Sequence, residues 1–380
     1  MKKILKLSSL FILLLVSTVY SMSNNEVLQM IEKKLFGKLS DGSEIFAYTL
    51  KNQNGMTAEI INYGAIVVSL TAPDRNGKFE DIVLGYDNID SYVKDNNYFG
   101  AIVGRYGNRI GKGKFMLEGK NYQLTINNGE NHLHGGKTGF SKKVWSAEPI
   151  ESKTDPALRL TYVSKDGEEG YPGTVTITVV YTLTKNNELK IEYTGTTDKT
   201  TIFNPTHHSY FNLSGNMNTT ILDHELWINA DKITPVDNSL ITTGEFADVA
   251  NTPMDFRSPK KVGKEINADF EQLKFGLGYD HNWVINGYNK KVNKIASLHE
   301  AGSGRFMEVY SNQPGVQFYS GNFLDGTATG KKGVKYQHRS ALCLEAQCFP
   351  DSPNKPQFPS VILKPGEVYQ QTTIYKFSTK

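Results

Sequence analysis

The residue types that could carry out acid–base chemistry in this sequence lie in short polar segments between apolar ones. Segment 204–213, NPTHHSYFNL, contains the adjacent His207 and His208, and the segment LEAQ contains Glu345. Side chains alternate between the two faces of a strand, so only one of the two histidines can reach a given pocket. Histidine and glutamate can both exchange protons near neutral pH in suitable surroundings. These segments indicate an acid–base pair; the alternative is two structural histidines and an ion-paired glutamate.

Other polar segments offer groups that could hold an oxygen-rich ligand. Asn108 and Arg109 supply fixed donors within the glycine-rich run 104–113, which does not fit the G-x-G-x-x-G spacing of dinucleotide-binding loops. In GYDHNW, Asp280 could accept hydrogen bonds from sugar hydroxyls while a nearby aromatic ring covers the apolar face of the sugar. For Arg109, a position on a solvated turn is the alternative.

The segment NHLHGG and the two cysteines bear on metals and redox chemistry. On a strand, His132 and His134 would share a face and could bind zinc. The glycines that follow indicate a turn instead, and the sequence contains no H-E-x-x-H motif, so we expect no metal. Cys343 and Cys348 are too far apart along one strand for a disulfide, and we expect two buried, reduced thiols.

The N-terminal segment has the organisation of a secretory signal peptide. Three lysines precede an apolar run at residues 7–19, and small residues follow, so residues 1–21 are predicted to be cleaved and residues 22–380 to be periplasmic or secreted. The run is shorter than the ~18 residues of a spanning helix, which argues against an uncleaved membrane anchor. Without the three lysines, the remaining basic residues equal the 39 acidic ones. This balance argues against nucleic acid or an anionic membrane as the partner.

Strand patterns dominate the rest of the chain. Period-two or apolar β-branched segments occur at residues 57–71, 158–163, 174–184, 189–193, 315–319, 341–345 and 369–377. Residues 174–193 read as a hairpin, residues 24–35 as a short amphipathic helix, and residues 87–98 as a short helix or loop. No long helices alternate with the strands, which argues against a doubly wound α/β fold. We therefore predict an all-β fold, a large single-domain antiparallel β-sandwich that brings together candidates from residue 108 to residue 345.

The ordered polar segments resemble the aldose 1-epimerase (galactose mutarotase) family. The matching segments are GRYGNRIGKGKF, NHLHGG, NPTHHSYFNL, PVDNSLITTGEFADV, YDHNWVIN, QPGVQFYSGN and CLEAQCFPDSPNKPQFP. They occur in the order typical of the family and cover about residues 36–378. The resemblance implies a galactose mutarotase-like sandwich with an open sugar cleft across one sheet. It also implies interconversion of the α and β anomers of free aldohexoses without metal or cofactor, by a monomer or homodimer.

The resemblance also implies roles for individual residues. His208 and Glu345 match the catalytic positions, with Glu345 as base and His208 as acid, and Asn108, Arg109, His134 and Asp280 match substrate-binding positions. Two positions depart from the usual pattern, because His207 stands where the family usually has Asn, and Thr242 where it more often has Pro. The alternatives are a glycoside hydrolase that uses Asp280 and Glu345 as its two carboxylates, and a non-catalytic carbohydrate-binding protein.

Cleavage of the signal peptide predicts a mature N-terminus near Met22. Sequencing of the N-terminus of protein recovered from the periplasm or the medium checks this expectation. A soluble cytoplasmic protein that retains Met1 would contradict it.

Overall fold

β-Strands make up most of the computed structural model, which describes residues 30–150, 152 and 154–380. The predicted signal peptide lies outside these residues. The described part contains two short α-helices, α1 (Ile89–Lys94) and α2 (Glu271–Gly276). Within it, no helix has the length and apolar character needed to cross a membrane.

Three large sheets form the framework, and their strands are numbered in chain order. The first has the order β1-β2-β3-β4-β5: β1 (Ile31–Lys38), β2 (Glu44–Lys51), β3 (Thr57–Ile61), β4 (Ile66–Pro73) and β5 (Phe79–Asp81). The second has nine strands, in the spatial order β11 (Ser146–Ile150), β12 (Ala157–Ser164), β13 (Val175–Leu183), β14 (Glu188–Thr197), β27 (Tyr369–Thr379), β23 (Arg305–Ser311), β22 (Asn293–His299), β17 (Glu225–Ile228) and β20 (Lys260–Lys261). The third has the order β19 (Ala247–Asp248), β18 (Lys232–Thr234), β21 (Asp280–Val284), β24 (Gly315–Tyr319) and β25 (Cys343–Gln347).

Four short strand pairs connect these sheets and position loops near the third one. They are β6 (Ile102–Val103) with β16 (Thr206–His207), β7 (Arg109–Ile110) with β10 (His132–Leu133), β8 (Lys114–Leu117) with β9 (Lys120–Gln123), and β15 (Thr201–Ile202) with β26 (Ile362–Leu363). Pairings within the three large sheets are antiparallel. The antiparallel β architecture predicted from the alternating sequence patterns is thus confirmed.

One hydrophobic core joins the three sheets into a sandwich. It contains buried side chains from the first sheet, such as Ile60, from the nine-stranded sheet, such as Ile177, and from the third, such as Phe318. Hydrogen bonds cross the layers: the Tyr181 hydroxyl donates to the carbonyl oxygen of Ala65, and the Tyr375 hydroxyl donates to that of Leu344. Buried polar side chains that reach across the core in this way hold the third sheet in register with the nine-stranded sheet.

Most local expectations agree with the structure, and one needs correction. The 174–193 hairpin is β13–β14, a helix forms within residues 87–98, and both cysteines are free and buried. Residues 57–71, predicted to be β-like, lie mostly in two paired strands, β3 and β4. The helix predicted over residues 24–35 is wrong where it is described, because residues 31–35 belong to β1, which pairs with β2. The tight turn at residues 39–43 brings β1 back along β2, and this pairing outweighs the weak helical periodicity.

Candidate active site

All six residues predicted to form the site line one pocket, which has a volume of about 340 Å³. The pocket lies over the third sheet, where β21 carries Asp280 and β25 carries Glu345. The short strand pairs bring in the other predicted site residues: Arg109 is the first residue of β7, and Asn108, His134 and His208 lie directly beside strands of these pairs. The remaining lining residues are Asn96, Asn97, Tyr98, Asn128, Leu133, Tyr210, Leu240, Tyr319 and Phe323. Residues far apart in sequence therefore converge on one face of one sheet, as predicted.

Glu345 and His208 form the buried centre of the pocket. Glu345 is 2% exposed and His208 4%, and the Oε1 atom of Glu345 lies 3.6 Å from Nε2 of His208. The imidazole of His208 stacks on the Tyr210 ring with centroids 5.1 Å apart, and the Tyr98 ring packs against it at 5.8 Å. The backbone N–H of His208 donates to the carbonyl oxygen of Ala101. These contacts fix the imidazole beside the carboxyl group.

Burial shifts the pKa values of this pair in opposite directions. It raises the pKa of Glu345 well above its ordinary value, and the nearby Asp280 charge raises it further while the Arg109 charge lowers it. Burial also lowers the pKa of His208 to about 4. Both shifts follow from the cost of placing a charge away from water. The pair is therefore expected to hold one exchangeable proton across the weakly acidic and neutral range.

Asp280 and Arg109 form an ion pair at the side of the pocket, with Asp280 Oδ2 3.6 Å from Arg109 Nη1. The other carboxylate oxygen, Oδ1, accepts a hydrogen bond of 2.8 Å from Nε2 of Gln317. Nε of Arg109 donates to the side-chain oxygen of Asn128 at 3.1 Å. The pocket thus presents an array of oriented donors and acceptors, which is the arrangement that sugar hydroxyl groups require.

Gln317 is a site residue that the sequence reasoning did not single out. It lies directly opposite Glu345 in the β24–β25 register, so the two side chains share a face of the sheet. It is 3% exposed, and its side-chain oxygen has no hydrogen-bond partner among the described residues. The available signal was a buried amide within the otherwise apolar segment 315–319.

Two hydrogen bonds, each donated by a backbone N–H, connect Asn108 and His134. The Asn108 N–H donates to Nδ1 of His134 at 3.0 Å, and the His134 N–H donates to the carbonyl oxygen of Asn108. Since Nδ1 is an acceptor, the neutral ring carries its proton on Nε2. Burial and the charges of His208 and Arg109 lower the pKa of His134 well below its ordinary value. His134 is therefore a neutral donor in the pocket.

The two histidines of NHLHGG do not share a face. Strand β10 ends at Leu133, and His134 has a φ of +50°, so its ring departs from the strand direction. The ring of His132 lies instead between the carbonyl oxygen of Thr125 (Nδ1, 2.7 Å) and the hydroxyl of Tyr171 (Nε2, 2.6 Å). His132 is therefore a structural residue.

His207 and His208 contact separate groups, as strand alternation predicts. Nε2 of His207 lies 2.7 Å from the Ser209 hydroxyl, and its ring packs against Tyr181 and Tyr375, two residues of the nine-stranded sheet. Burial lowers the pKa of His207 to about 3, so the ring is neutral. Of the two adjacent histidines, only His208 lines the pocket.

The side chains of His134, His208 and Glu345 are also close enough to be considered as metal ligands. Their ligand atoms all lie within 4.8 Å of one another, and two imidazoles with a carboxylate are a ligand set that zinc accepts. The Arg109 charge, which acts on both His134 and Glu345, opposes a divalent cation here. Glu345 and the two histidines are also the groups that proton exchange requires. The expectation that no metal is needed stays a prediction.

Comparison with known proteins identifies the family. Residues 47–376 match the model of the Aldose 1-epimerase family. The chain is 45% identical over 348 residues to galactose mutarotase of Bos taurus, covering 92% of this chain and 98% of that protein. It is 38% identical over 354 residues to aldose 1-epimerase of Haemophilus influenzae, covering 92% and 100%. The crystal structure of galactose 1-epimerase from Lactobacillus acidophilus superposes with a TM-score of 0.81 at 31% identity, covering 92% and 98%.

The chain belongs to the aldose 1-epimerase family. Its galactose mutarotase-like fold and its class, an isomerase, are those that the sequence predicts. The match over nearly the full length of these relatives favours the isomerase over the glycoside hydrolase and the non-catalytic binding protein.

Removal of metal ions is expected to leave the mutarotation rate unchanged, because proton exchange between Glu345 and His208 needs no Lewis acid. The measurement is polarimetry of fresh α-D-galactose after treatment with EDTA and desalting, with untreated enzyme as the control. Loss of activity that added zinc restores would contradict this expectation and would favour a zinc site that includes a histidine of the NHLHGG segment.

Proposed function

We propose that the protein interconverts the α and β anomers of free aldohexoses such as galactose and glucose, with Glu345 as general base and His208 as general acid. The observation that carries this proposal is the buried Glu345–His208 pair, 3.6 Å apart, in a pocket lined by hydrogen-bonding side chains. The relatives named galactose mutarotase support galactose as a substrate.

The reaction needs two proton transfers in each direction. Glu345, as a carboxylate, takes the proton of the O1 hydroxyl while Nε2 of protonated His208 gives a proton to the ring oxygen. The C1–ring oxygen bond breaks and C1 becomes an aldehyde carbon. After rotation about the C1–C2 bond, the ring oxygen attacks the other face of C1, its proton returns to His208, and Glu345 gives its proton back to O1. Each group contributes about 10²–10⁴-fold.

The opposite pKa shifts of the pair suit this exchange. A proton on Glu345 with neutral His208 and a proton on His208 with ionised Glu345 are two forms of the same singly protonated pair. Burial disfavours the ionised form of each group, so the resting pair carries its proton on Glu345, and the reactive form with the proton on His208 is reached by transfer of that one proton.

The surrounding groups orient the sugar. His134 donates from Nε2, Asp280 accepts from hydroxyl groups, and Gln317 and Arg109 hold the Asp280 carboxylate in place. We also propose that the protein acts as a monomer or as a homodimer. The lysines and apolar run of residues 1–21 support the further proposal that the enzyme acts in the periplasm or outside the cell.

Substitution of either member of the pair is expected to lower kcat by about two or more orders of magnitude, because each removes one proton transfer from the transition state. Glu345→Gln keeps the shape and removes the base, and His208→Asn removes the acid. Initial rates of galactose mutarotation measure the loss, and circular dichroism confirms folding.

His207→Asn is the matched control, because it alters the neighbouring buried histidine outside the pocket and introduces the residue usual in the family. It should retain most of the activity. Asp280→Asn should raise KM as well as lower the rate, since Asp280 holds hydroxyl groups. Near wild-type turnover of Glu345→Gln, or an inactive His207→Asn beside an active His208→Asn, contradicts the assignment.

The pH dependence follows from the singly protonated pair. A second proton binds as pH falls through the lowered pKa of His208, so kcat/KM is expected to decline only near pH 4. The one proton is lost as pH rises through the raised pKa of Glu345, so the alkaline decline lies well above the ordinary carboxyl range. These are values of the coupled pair. Initial rates, corrected for spontaneous mutarotation, test this, and an acid decline at the ordinary histidine value of about 6.5 would count against it.

A further inference from the structure

The Nδ1 atom of His208 has a partner that the proposed mechanism does not use. Nε2 faces Glu345, whereas Nδ1 lies 3.6 Å from the Sγ atom of Cys343. Cys343 and Glu345 are two residues apart on β25, so both side chains project from the same face of the sheet. One strand therefore supplies a neighbour to each nitrogen of the imidazole.

Cys343 is a neutral thiol in this position. It is fully buried, and burial together with the Glu345 and Asp280 charges raises its pKa well above the ordinary value. A neutral thiol sulfur is a weak hydrogen-bond acceptor and cannot stabilise a charged imidazole as a carboxylate does.

The other surroundings of the ring favour a proton on Nδ1. Burial keeps a proton on Glu345, whose Oε1 atom lies 3.6 Å from Nε2, so Nε2 is the nitrogen placed to accept and Nδ1 is left to carry the ring proton. Tyr98 and Tyr210 pack against the ring. In His134, by contrast, Nδ1 accepts from a backbone N–H. The two histidines of the pocket are thus set up as opposite tautomers.

We propose that Cys343 is a positioning residue whose sulfur accepts a hydrogen bond from Nδ1–H of His208, so that Nε2 is the nitrogen that gains and loses the proton. This inference rests on the proposed role of His208 as the acid. In serine proteases a carboxylate holds the corresponding Nδ1–H and stabilises the imidazolium. A thiol holds the same tautomer with much less of that stabilisation, which leaves the imidazolium a stronger acid toward the sugar.

The first test compares three variants with the wild type. Cys343→Ala removes the acceptor and is expected to lower kcat on the order of 10-fold, the lower end of the loss seen when a group that orients a metal-binding histidine is removed, with little change in KM. Cys343→Ser supplies an oxygen acceptor and should restore most of the rate. Cys348→Ala is the matched control: this second buried cysteine contacts Ser352 and Pro359 outside the pocket, and its removal should leave rate and pH profile unchanged.

The pH profile gives a readout that loss of packing would not move. Without an acceptor for Nδ1–H the protonated ring is less stable, so the acid decline of kcat/KM should move to lower pH in Cys343→Ala. In Cys343→Ser it should move to higher pH, because a hydroxyl oxygen is the stronger acceptor. An unchanged acid decline and rate in a folded Cys343→Ala protein would overturn the proposal.

Nitrogen-15 NMR of histidine-labelled wild type decides the tautomer without any change at residue 343. The His208 signals are assigned by their absence from His208→Asn. The expected result at neutral pH is a protonated Nδ1 and an unprotonated Nε2, with more of the other tautomer in Cys343→Ala. A wild-type ring protonated on Nε2 would refute the inference. If His208→Asn itself retained full activity, the proposed function would fail instead, so the two failures can be distinguished.

Discussion

The structure depends on the burial of one carboxyl group. Glu345 lies in the middle of β25 and is only 2% exposed. A buried charge without partners costs several kcal/mol, and burying partners with it repays this only where the geometry is good. Here the nearest partner, His208, is itself buried, so the two groups lower each other's cost by sharing a proton. The sheet, the loops above it and the tyrosines around His208 all serve to keep this pair dry and aligned.

The loops that complete the pocket adopt unusual backbone conformations. Tyr98, Asn108, His134 and Leu240 all line it, and all have φ between +50° and +67°, a region that non-glycine residues seldom occupy. Such conformations persist where contacts with the surrounding structure hold them in place, and they are concentrated at functional sites. In this protein they turn side chains out of short strands and into the cleft, as His134 shows in contrast to His132. The rigid sheet supplies Glu345 and Asp280, and the strained loops bring the remaining groups to it.

Much of this arrangement could be predicted from the sequence, because polar residues in apolar strands are conspicuous. The alternation of side chains along a strand was enough to predict that His207 and His208 face opposite sides. Glu345, a single carboxyl group in an apolar segment, identified its strand as part of the site. Gln317 escaped notice because an amide carries no charge and its importance depends on its being opposite Glu345, a register that only the folded sheet reveals. The glycines after His134 indicate a turn, but the direction of its ring depends on a positive φ at His134 itself, which those glycines do not specify. The helix expected at residues 24–35 failed at residues 31–35 because pairing with a distant partner outweighs weak local periodicity.

The position of β27 also affects when the chain can fold during its synthesis. This strand follows every site residue along the chain, yet it lies between β14 and β23 inside the nine-stranded sheet. Its Gln371 and Tyr375 side chains donate to the carbonyl oxygens of Ala346 and Leu344, the two neighbours of Glu345. A growing chain on the ribosome therefore cannot close its core or anchor the strand that carries Glu345 until β27 has emerged. Completion of the fold is in this sense postponed to the end of synthesis.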